Sequence, residues 1–135
     1  MSREIKFKYI WSNPTKTNFL TEIFTLDQIE RGEQFMVLEN EPLLKNYRIV
    51  AILQWTGLLD KNDKEIYEGD SVQKIYKGKA YQVCEVKFND GTFVVDDFDA
   101  DGKKFFWSLR GMQHCWKVVG NIYEHKELIT EVKNV

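Results

Sequence analysis

Residues 54–72, QWTGLLDKNDKEIYEGDSV, decide how the chain folds, because they place two turns between apolar stretches. The run DKNDK at 60–64 is typical of an exposed turn, since asparagine and aspartate tolerate the left-handed backbone conformation. The run EGD at 68–70 predicts a second turn, in which the glycine permits a bend and the aspartate accepts hydrogen bonds from backbone amides. A catalytic loop or a metal loop would also concentrate such residues. We interpret the stretch as two structural turns that lead the chain into a strand at Val72.

The chain beyond this stretch alternates between short strands and sharp turns. A strand, a three-residue loop that contains glycine (residues 77–79) and another strand predict a hairpin. Five short strands at intervals of roughly ten residues indicate a small antiparallel barrel or sandwich. The predicted strands are residues 71–76, 80–88, 92–95, 104–109 and 114–123. Because Gly-Asp-x-Val at the start of a strand is typical of SH3-like barrels, we predict a mainly β fold with an SH3-like small antiparallel barrel over residues 54–135.

The N-terminal segment, residues 1–53, is predicted to contain strands and one short helix, so that the chain forms a single domain, 1–135. Apolar and charged residues alternate over 3–11, which predicts a half-buried strand. Residues 47–55 are apolar on both faces and predict a central strand. The short apolar run 35–38 is predicted as a further strand.

The helix of this segment is predicted from FTLDQIERGE, residues 24–33. Thr25 and Gln28 have the spacing of a capping box, in which each side chain bonds the other residue's backbone N–H. Gly32 can adopt the left-handed conformation that ends a helix. We therefore expect a helix of about two turns.

Composition limits the classes of protein to which the chain can belong. With 135 residues, 43% of them apolar, the chain can form one core. Its 19 basic and 21 acidic residues give a net charge of -2, which exerts no long-range attraction on nucleic acid or an anionic membrane. No apolar run is long enough to span a bilayer, and the charged N-terminus is unlike a secretory signal. We therefore expect a cytoplasmic protein with Cys84 and Cys115 as free thiols.

An acidic run at residues 97–102, DFDADG, resembles the beginning of a calcium-binding loop. The twelfth position of that loop is Ser108 instead of a bidentate glutamate, and the eighth is Lys104 instead of an apolar residue. The flanking residues are predicted strands, whereas this loop lies between helices. These differences favour a solvated acidic hairpin over an ion site.

No motif in the sequence specifies a catalytic or metal site. His114 and Cys115 are neighbours on a predicted strand, so their side chains point to opposite faces and cannot readily form a base–nucleophile pair. Zinc-ligand spacings, phosphate-binding loops and nucleophile elbows are missing from the sequence. We therefore predict a non-enzymatic protein with no catalytic residue, metal or cofactor, and rank a hydrolase with paired carboxylates lowest.

The aromatic residues raise the alternative of a small nucleic-acid-binding barrel that acts in replication or gene control. Aromatic side chains on a small barrel can stack bases where cationic residues follow the backbone. Most aromatic residues are in phase with aliphatic neighbours, which is typical of core positions. The nearest basic patch consists of Lys74, Lys77 and Lys79, and it is opposed by Asp96, Asp97, Asp99 and Asp101. Nucleic acid is therefore the less favoured partner.

Four stretches together resemble the YopX family, small proteins of phages and prophages, mainly in Gram-positive bacteria. Residues 54–72 resemble the family signature and REIKFKYIW (3–11) its opening strand. CEVKFNDGTF (84–93) resembles its mid-barrel hairpin, and VVGNIYEHKEL (118–128) its closing segment. The resemblance implies a mainly β fold with an SH3-like barrel in the cytoplasm of a bacterial host, with no established activity and no catalytic residues. Asp63 stands where the family usually has glycine, which leaves the local turn geometry open.

The predicted function is that of a phage or prophage accessory protein that acts by protein binding or self-assembly. Its expected partners are further copies of itself or a host or phage protein, and no membrane partner is expected. Seven residues that carry the resemblance are predicted as a recognition surface, although holding turns together is at least as good an explanation for them. They are Trp55, Asp60, Tyr67, Glu68, Asp70, Asn121 and Tyr123.

Overall fold

A computed structural model of the chain describes residues 4–39, 41–110 and 113–124. These residues fall into two compact units, one within residues 1–55 and one within residues 56–135. The sequence analysis places its division two residues earlier, between 53 and 54. The assignment of the chain to a single domain stays a prediction.

The described residues are mainly β, as the sequence predicts, with one α-helix and antiparallel strand pairing. The α-helix is α1 (Leu26–Glu30), and three short 3₁₀ helices span Glu33–Met36, Pro42–Leu44 and Gln113–Cys115. The strands are β1 (Lys6–Ser12), β2 (Phe19–Thr25), β3 (Arg48–Leu59), β4 (Glu65–Tyr67), β5 (Asp70–Tyr76), β6 (Lys79–Asn89), β7 (Thr92–Phe98), β8 (Lys104–Ser108) and β9 (Trp116–Asn121).

In the first unit, β1 pairs with β2 on one side and with β3 on the other. The alternating strand predicted at 3–11 is observed at Lys6–Ser12, and Arg3 lies outside the described residues. Tyr9, Trp11 and Phe24 form a buried aromatic cluster, in which the rings of Tyr9 and Phe24 meet edge to face at 5.4 Å. Strand β2, for which the sequence analysis makes no prediction, completes this cluster by contributing Phe24.

The predicted helix cap is confirmed. The Gln28 N–H donates to Thr25 Oγ1 at 3.2 Å, and the Thr25 N–H donates to Gln28 Oε1 at 2.8 Å. Gly32 has a φ of 75°, as expected for the residue that ends the helix. The strand predicted at 35–38 is wrong, because the Phe35 N–H bonds the Gly32 carbonyl at 3.1 Å and closes a 3₁₀ turn instead.

Strand β3 is an internal strand, as predicted from its apolar faces, because it is hydrogen-bonded to both β1 and β4. In the second unit, five strands form a sheet in the order β8-β7-β6-β5-β9. Its core includes Val72, Val95, Leu109 and Trp116, all at most 1% exposed. Strands β8 and β9 are the two edges of this sheet within the described residues, and the SH3-like barrel stays a prediction.

The hairpin of β5 and β6 is confirmed, but its loop is one residue shorter than predicted. Tyr76 and Lys79 are paired across the hairpin, which leaves only Lys77 and Gly78 in the turn. Both have positive φ, 50° and 76°, as a two-residue type I′ turn requires. This tight turn sets the register that places Tyr76 and Tyr81 beside their neighbouring lysines.

Candidate functional site

Asp60, one of the seven residues predicted for recognition, is buried and joins a turn to β9. Its Oδ1 accepts hydrogen bonds from the backbone N–H groups of Asn62 at 2.7 Å and Lys64 at 3.0 Å. Its Oδ2 accepts the N–H of Val118, 58 residues further along the chain, at 2.8 Å. The carboxylate of Asp60 thus holds the 60–64 turn against β9.

Asp70 and Gly69 form the second turn of the same stretch. Asp70 is 1% exposed, and its Oδ2 accepts the Tyr67 N–H at 2.8 Å. Gly69, at a φ of 85°, donates its N–H to the Val86 carbonyl at 2.9 Å and accepts the Ile122 N–H at 3.0 Å. This turn therefore links β6 to the residue after β9.

Asn121 holds the turn that follows β9. Its Oδ1 accepts the N–H groups of Tyr123 at 2.9 Å and Glu124 at 2.8 Å, and its Nδ2 donates to Glu124 Oε2 at 2.9 Å. Tyr123 is 38% exposed, and burial raises the pKa of its hydroxyl, with the charges of Glu68 and Glu85 adding to the effect. Glu68 therefore lies close enough to Tyr123 for its charge to affect the pKa of the Tyr123 hydroxyl.

Trp55 belongs to the first unit, where the Lys6 ammonium lies 4.2 Å from the centre of its ring. The other six predicted residues lie in the second unit. Asp60, Tyr67, Asp70 and Asn121 are buried there, so Glu68 and Tyr123 are the more accessible members of the set. Recognition by these seven residues stays a prediction, while the hydrogen bonds of Asp60, Asp70 and Asn121 are observed.

The β5–β6 hairpin carries a second candidate surface, the hairpin cluster, which consists of Lys74, Tyr76, Lys77, Lys79 and Tyr81. The Lys74 ammonium lies 5.8 Å from the ring centre of Tyr76 and 5.5 Å from that of Tyr81. Lys77 lies 5.5 Å from the Tyr76 ring and Lys79 lies 5.1 Å from the Tyr81 ring. The sequence shows the three lysines, but their placement on two exposed tyrosine rings depends on the hairpin register.

A shallow groove of about 420 Å³ adjoins the hairpin cluster. Lys74 and Tyr81 line one part of it, and Asp97 and Asp99 line another. Asp97 is engaged, because it accepts hydrogen bonds from the Gln82 side chain and, at 3.2 Å, from Trp107 Nε1. The groove therefore combines aromatic side chains and one lysine with carboxylate groups.

The acidic run at 97–102 includes the end of β7 and the turn of the β7–β8 hairpin, and its flanks are strands as predicted. Asp99 Oδ1 accepts the N–H groups of Asp101 at 2.9 Å and Lys103 at 2.8 Å, so this carboxylate stabilises the turn itself. In the part of the chain that the structure describes, no three histidine, cysteine or acidic side chains come together to hold a metal ion.

Asp96 forms the ion pairs of this sheet. Its Oδ2 lies 2.9 Å from Lys87 Nζ and 3.4 Å from Lys104 Nζ, while its side chain is only 4% exposed. Burial by itself would raise the pKa of Asp96, but the hydrogen bonds and charges of the two lysines outweigh it and hold that pKa below its usual range. The hydrogen bond to Asp96 likewise raises the pKa of Lys87.

Cys84 lies in the core of the second unit, in one cluster with Val86. Burial raises the pKa of its thiol well above the usual range, and the charges of Asp97 and Asp96 raise it further. Because the thiolate is the reactive form, we expect Cys84 to react with DTNB at least about 100-fold more slowly in the folded protein than in the denatured chain.

Absorbance at pH 8 measures this reaction, and the denatured chain, which releases two equivalents from its two cysteines, is the control. Cys115 is also buried, so the folded protein should release neither equivalent quickly. If folded Cys115→Ser still reacts quickly with one equivalent of DTNB, the reacting thiol is that of Cys84, and its burial would be contradicted.

Three large apolar side chains of the first unit are strongly exposed. Phe35 is 73% exposed, Met36 is 62% exposed and Leu43 is 93% exposed. We call these three residues the apolar segment. Glu39 and Glu41, both exposed, lie between them in the sequence. No helix of the described residues is long and apolar enough to cross a membrane.

One of three comparisons with known proteins, the match to a family model, agrees with the sequence resemblance. The chain is similar to the crystal structure of protein EF1440 from Enterococcus faecalis, with 24% sequence identity and a TM-score of 0.42, over 90% of this chain and 74% of that one. No curated protein matches the chain. A family model described as YopX protein matches residues 6–130. Because this match covers nearly the whole chain, the protein belongs to the YopX family.

Proposed function

We propose that the chain is a non-enzymatic accessory protein of a phage or prophage, and that it acts in the host cytoplasm by protein binding, including self-assembly. The observation that carries this proposal is the exposure of the apolar segment, Phe35, Met36 and Leu43. Large apolar side chains that are strongly exposed on a folded protein are candidates for a protein interface. Membership of the YopX family supports the phage or prophage origin.

The backbone around Leu43 supports presentation of this side chain to a partner. The Leu44 N–H bonds the Glu41 carbonyl at 2.9 Å, and the Tyr47 N–H bonds the Leu44 carbonyl at 2.9 Å. These bonds fix the 3₁₀ turn that carries Leu43, so less conformational entropy would be lost on binding. The neighbouring glutamates favour a partner with basic residues around an apolar centre.

Replacing the apolar segment in the triple variant Phe35→Ser, Met36→Ser, Leu43→Ser is expected to weaken self-association at least about tenfold, because apolar anchors contribute most to interfaces. Light scattering coupled to size-exclusion chromatography over a range of concentrations measures this change. The matched control is Ile23→Thr with Ile52→Thr, since both residues are exposed on strands of the same unit.

An oligomer that the triple variant dissociates and the control leaves intact would support the proposal. A monomer at every concentration, combined with no protein from host lysate whose capture depends on the apolar segment, would contradict it. Turnover of a substrate that a single point variant abolishes would contradict the non-enzymatic assignment.

We further propose that the second unit is an SH3-like barrel. The pairing of β9, the last strand of the described residues, with β5, the first strand of the sheet, supports this topology, as does the 3₁₀ turn at Gln113–Cys115 just before β9. An experimental structure in which the five strands curl into two orthogonally packed halves would agree with the proposal, and a flat sheet would not.

A further inference from the structure

We propose that the hairpin cluster, Lys74, Tyr76, Lys77, Lys79 and Tyr81, is a binding site for single-stranded nucleic acid. The proposal concerns the second unit and is independent of the protein-binding role assigned to the apolar segment. It rests on three properties of the cluster: lysines that form no ion pair within the described residues, exposed aromatic rings, and an adjoining groove with hydrogen-bond acceptors.

The charge of the cluster is the first of these properties. Within residues 4–39, 41–110 and 113–124, no carboxylate lies within 4.0 Å of the ammonium of Lys74, Lys77 or Lys79. By contrast, Lys87 and Lys104 of the same sheet both pair with Asp96. Three of the lysines on this sheet thus remain available to an external anion.

The aromatic rings are the second property. Tyr76 is 47% exposed and Tyr81 is 40% exposed, although aromatic side chains usually find cover in a core. The lysine ammoniums lie 5.1 to 5.8 Å from their ring centres, so cationic groups already accompany both rings. A strand of nucleic acid offers the matching pair of groups, a base for each ring and a phosphate for each ammonium.

The groove beside Tyr81 determines on which side of the hairpin the bases and the phosphate backbone of the ligand are expected. Asp97 and Asp99 repel phosphate, so the ligand backbone is expected on the lysine side of the hairpin. Carboxylate oxygens accept hydrogen bonds from the N–H groups of bases, the N3–H of thymine among them, so the groove suits a base instead. A duplex keeps its base faces stacked inside, which is why a single strand fits this surface better.

Fluorescence anisotropy of a labelled oligothymidine of about 15 nucleotides tests the proposal, with salt varied from about 20 to about 200 mM. Three lysine contacts predict a slope of log K against log salt of about -2, since each contributes about -0.7 on a single strand. The variant Lys77→Gln, Lys79→Gln should reduce this slope to about -0.7. The control Lys45→Gln, Lys61→Gln, which removes exposed lysines elsewhere, should leave it unchanged.

The tyrosines separate nucleic acid from other anions. Tyr76→Leu and Tyr81→Leu should each weaken oligothymidine binding about tenfold without changing the salt slope, because stacking is lost while the charge remains. Circular dichroism confirms that these variants are folded. No binding at low salt, binding that the tyrosine variants leave intact, or equal binding of an oligoglutamate of the same length would each overturn the proposal.

Discussion

Replacing Asp60 by alanine is expected to lower the free energy of unfolding by about 4 kcal/mol. The substitution removes an ionised acceptor of three backbone N–H groups, and hydrogen bonds to charged groups are worth about 1.5–3 kcal/mol each. The N–H groups of Asn62 and Lys64 lie in an exposed turn and can bond water instead. Val118 is a buried residue of β9, so its N–H cannot readily bond water when the carboxylate is removed. The loss of this hydrogen bond therefore accounts for much of the effect.

Urea denaturation followed by circular dichroism measures this loss. Asp60→Asn separates the two roles of the carboxylate, because one amide oxygen can satisfy either the turn or Val118 but not both. We expect this variant to lie between the wild type and Asp60→Ala. Asp101→Ala, at an exposed turn position, is the matched control and should change stability by less than about 0.5 kcal/mol. A loss of that small size in Asp60→Ala would show that the turn is held by other contacts.

The variant Trp116→Ala is expected to lose about 3–5 kcal/mol, because it removes a 1% exposed indole from the centre of the core and leaves a cavity. Among the residues described, the buried Nε1 of Trp116 has no hydrogen-bond partner. The indole therefore stabilises the fold by its packing, and its N–H does not add to this.

Trp116→Phe tests this account, since it keeps an aromatic ring at the position and removes the N–H. We expect Trp116→Phe to recover more than half of the stability that Trp116→Ala loses, as judged by urea denaturation. Equal losses in the two variants would indicate that the indole N–H forms a bond that matters for stability.

The elements that could be predicted from the sequence are those that local contacts determine. The Thr25–Gln28 cap joins residues three apart, and the hairpin of β5 and β6 surrounds a glycine turn, so neighbouring residues carry the information. The strand wrongly predicted at 35–38 is a short apolar run, and such runs do not distinguish strands from helical turns. Strand β2 went unpredicted, since three of its middle residues are exposed and it pairs with β1 alone.

The candidate surfaces depend on contacts that the sequence does not display. Asp60 was identified as a residue of interest, but its bond to Val118 spans 58 positions and no local pattern indicates it. The lysines of the hairpin cluster are visible as a charge run, whereas their approach to Tyr76 and Tyr81 follows from the strand register. The exposure of Phe35 and Leu43 could not be predicted either, because apolar residues are expected in a core.

The pairing of β9 with β5 has a consequence for synthesis on the ribosome. The four strands β5 to β8 emerge first, and β5 then presents an unpaired edge next to the buried residue Val72. Only after residue 121 has left the exit tunnel can β9 cover this edge and Asp60 reach the Val118 N–H. The nascent second unit therefore completes its fold only after β9 has emerged, and a stall before β9 would leave an edge open to aggregation.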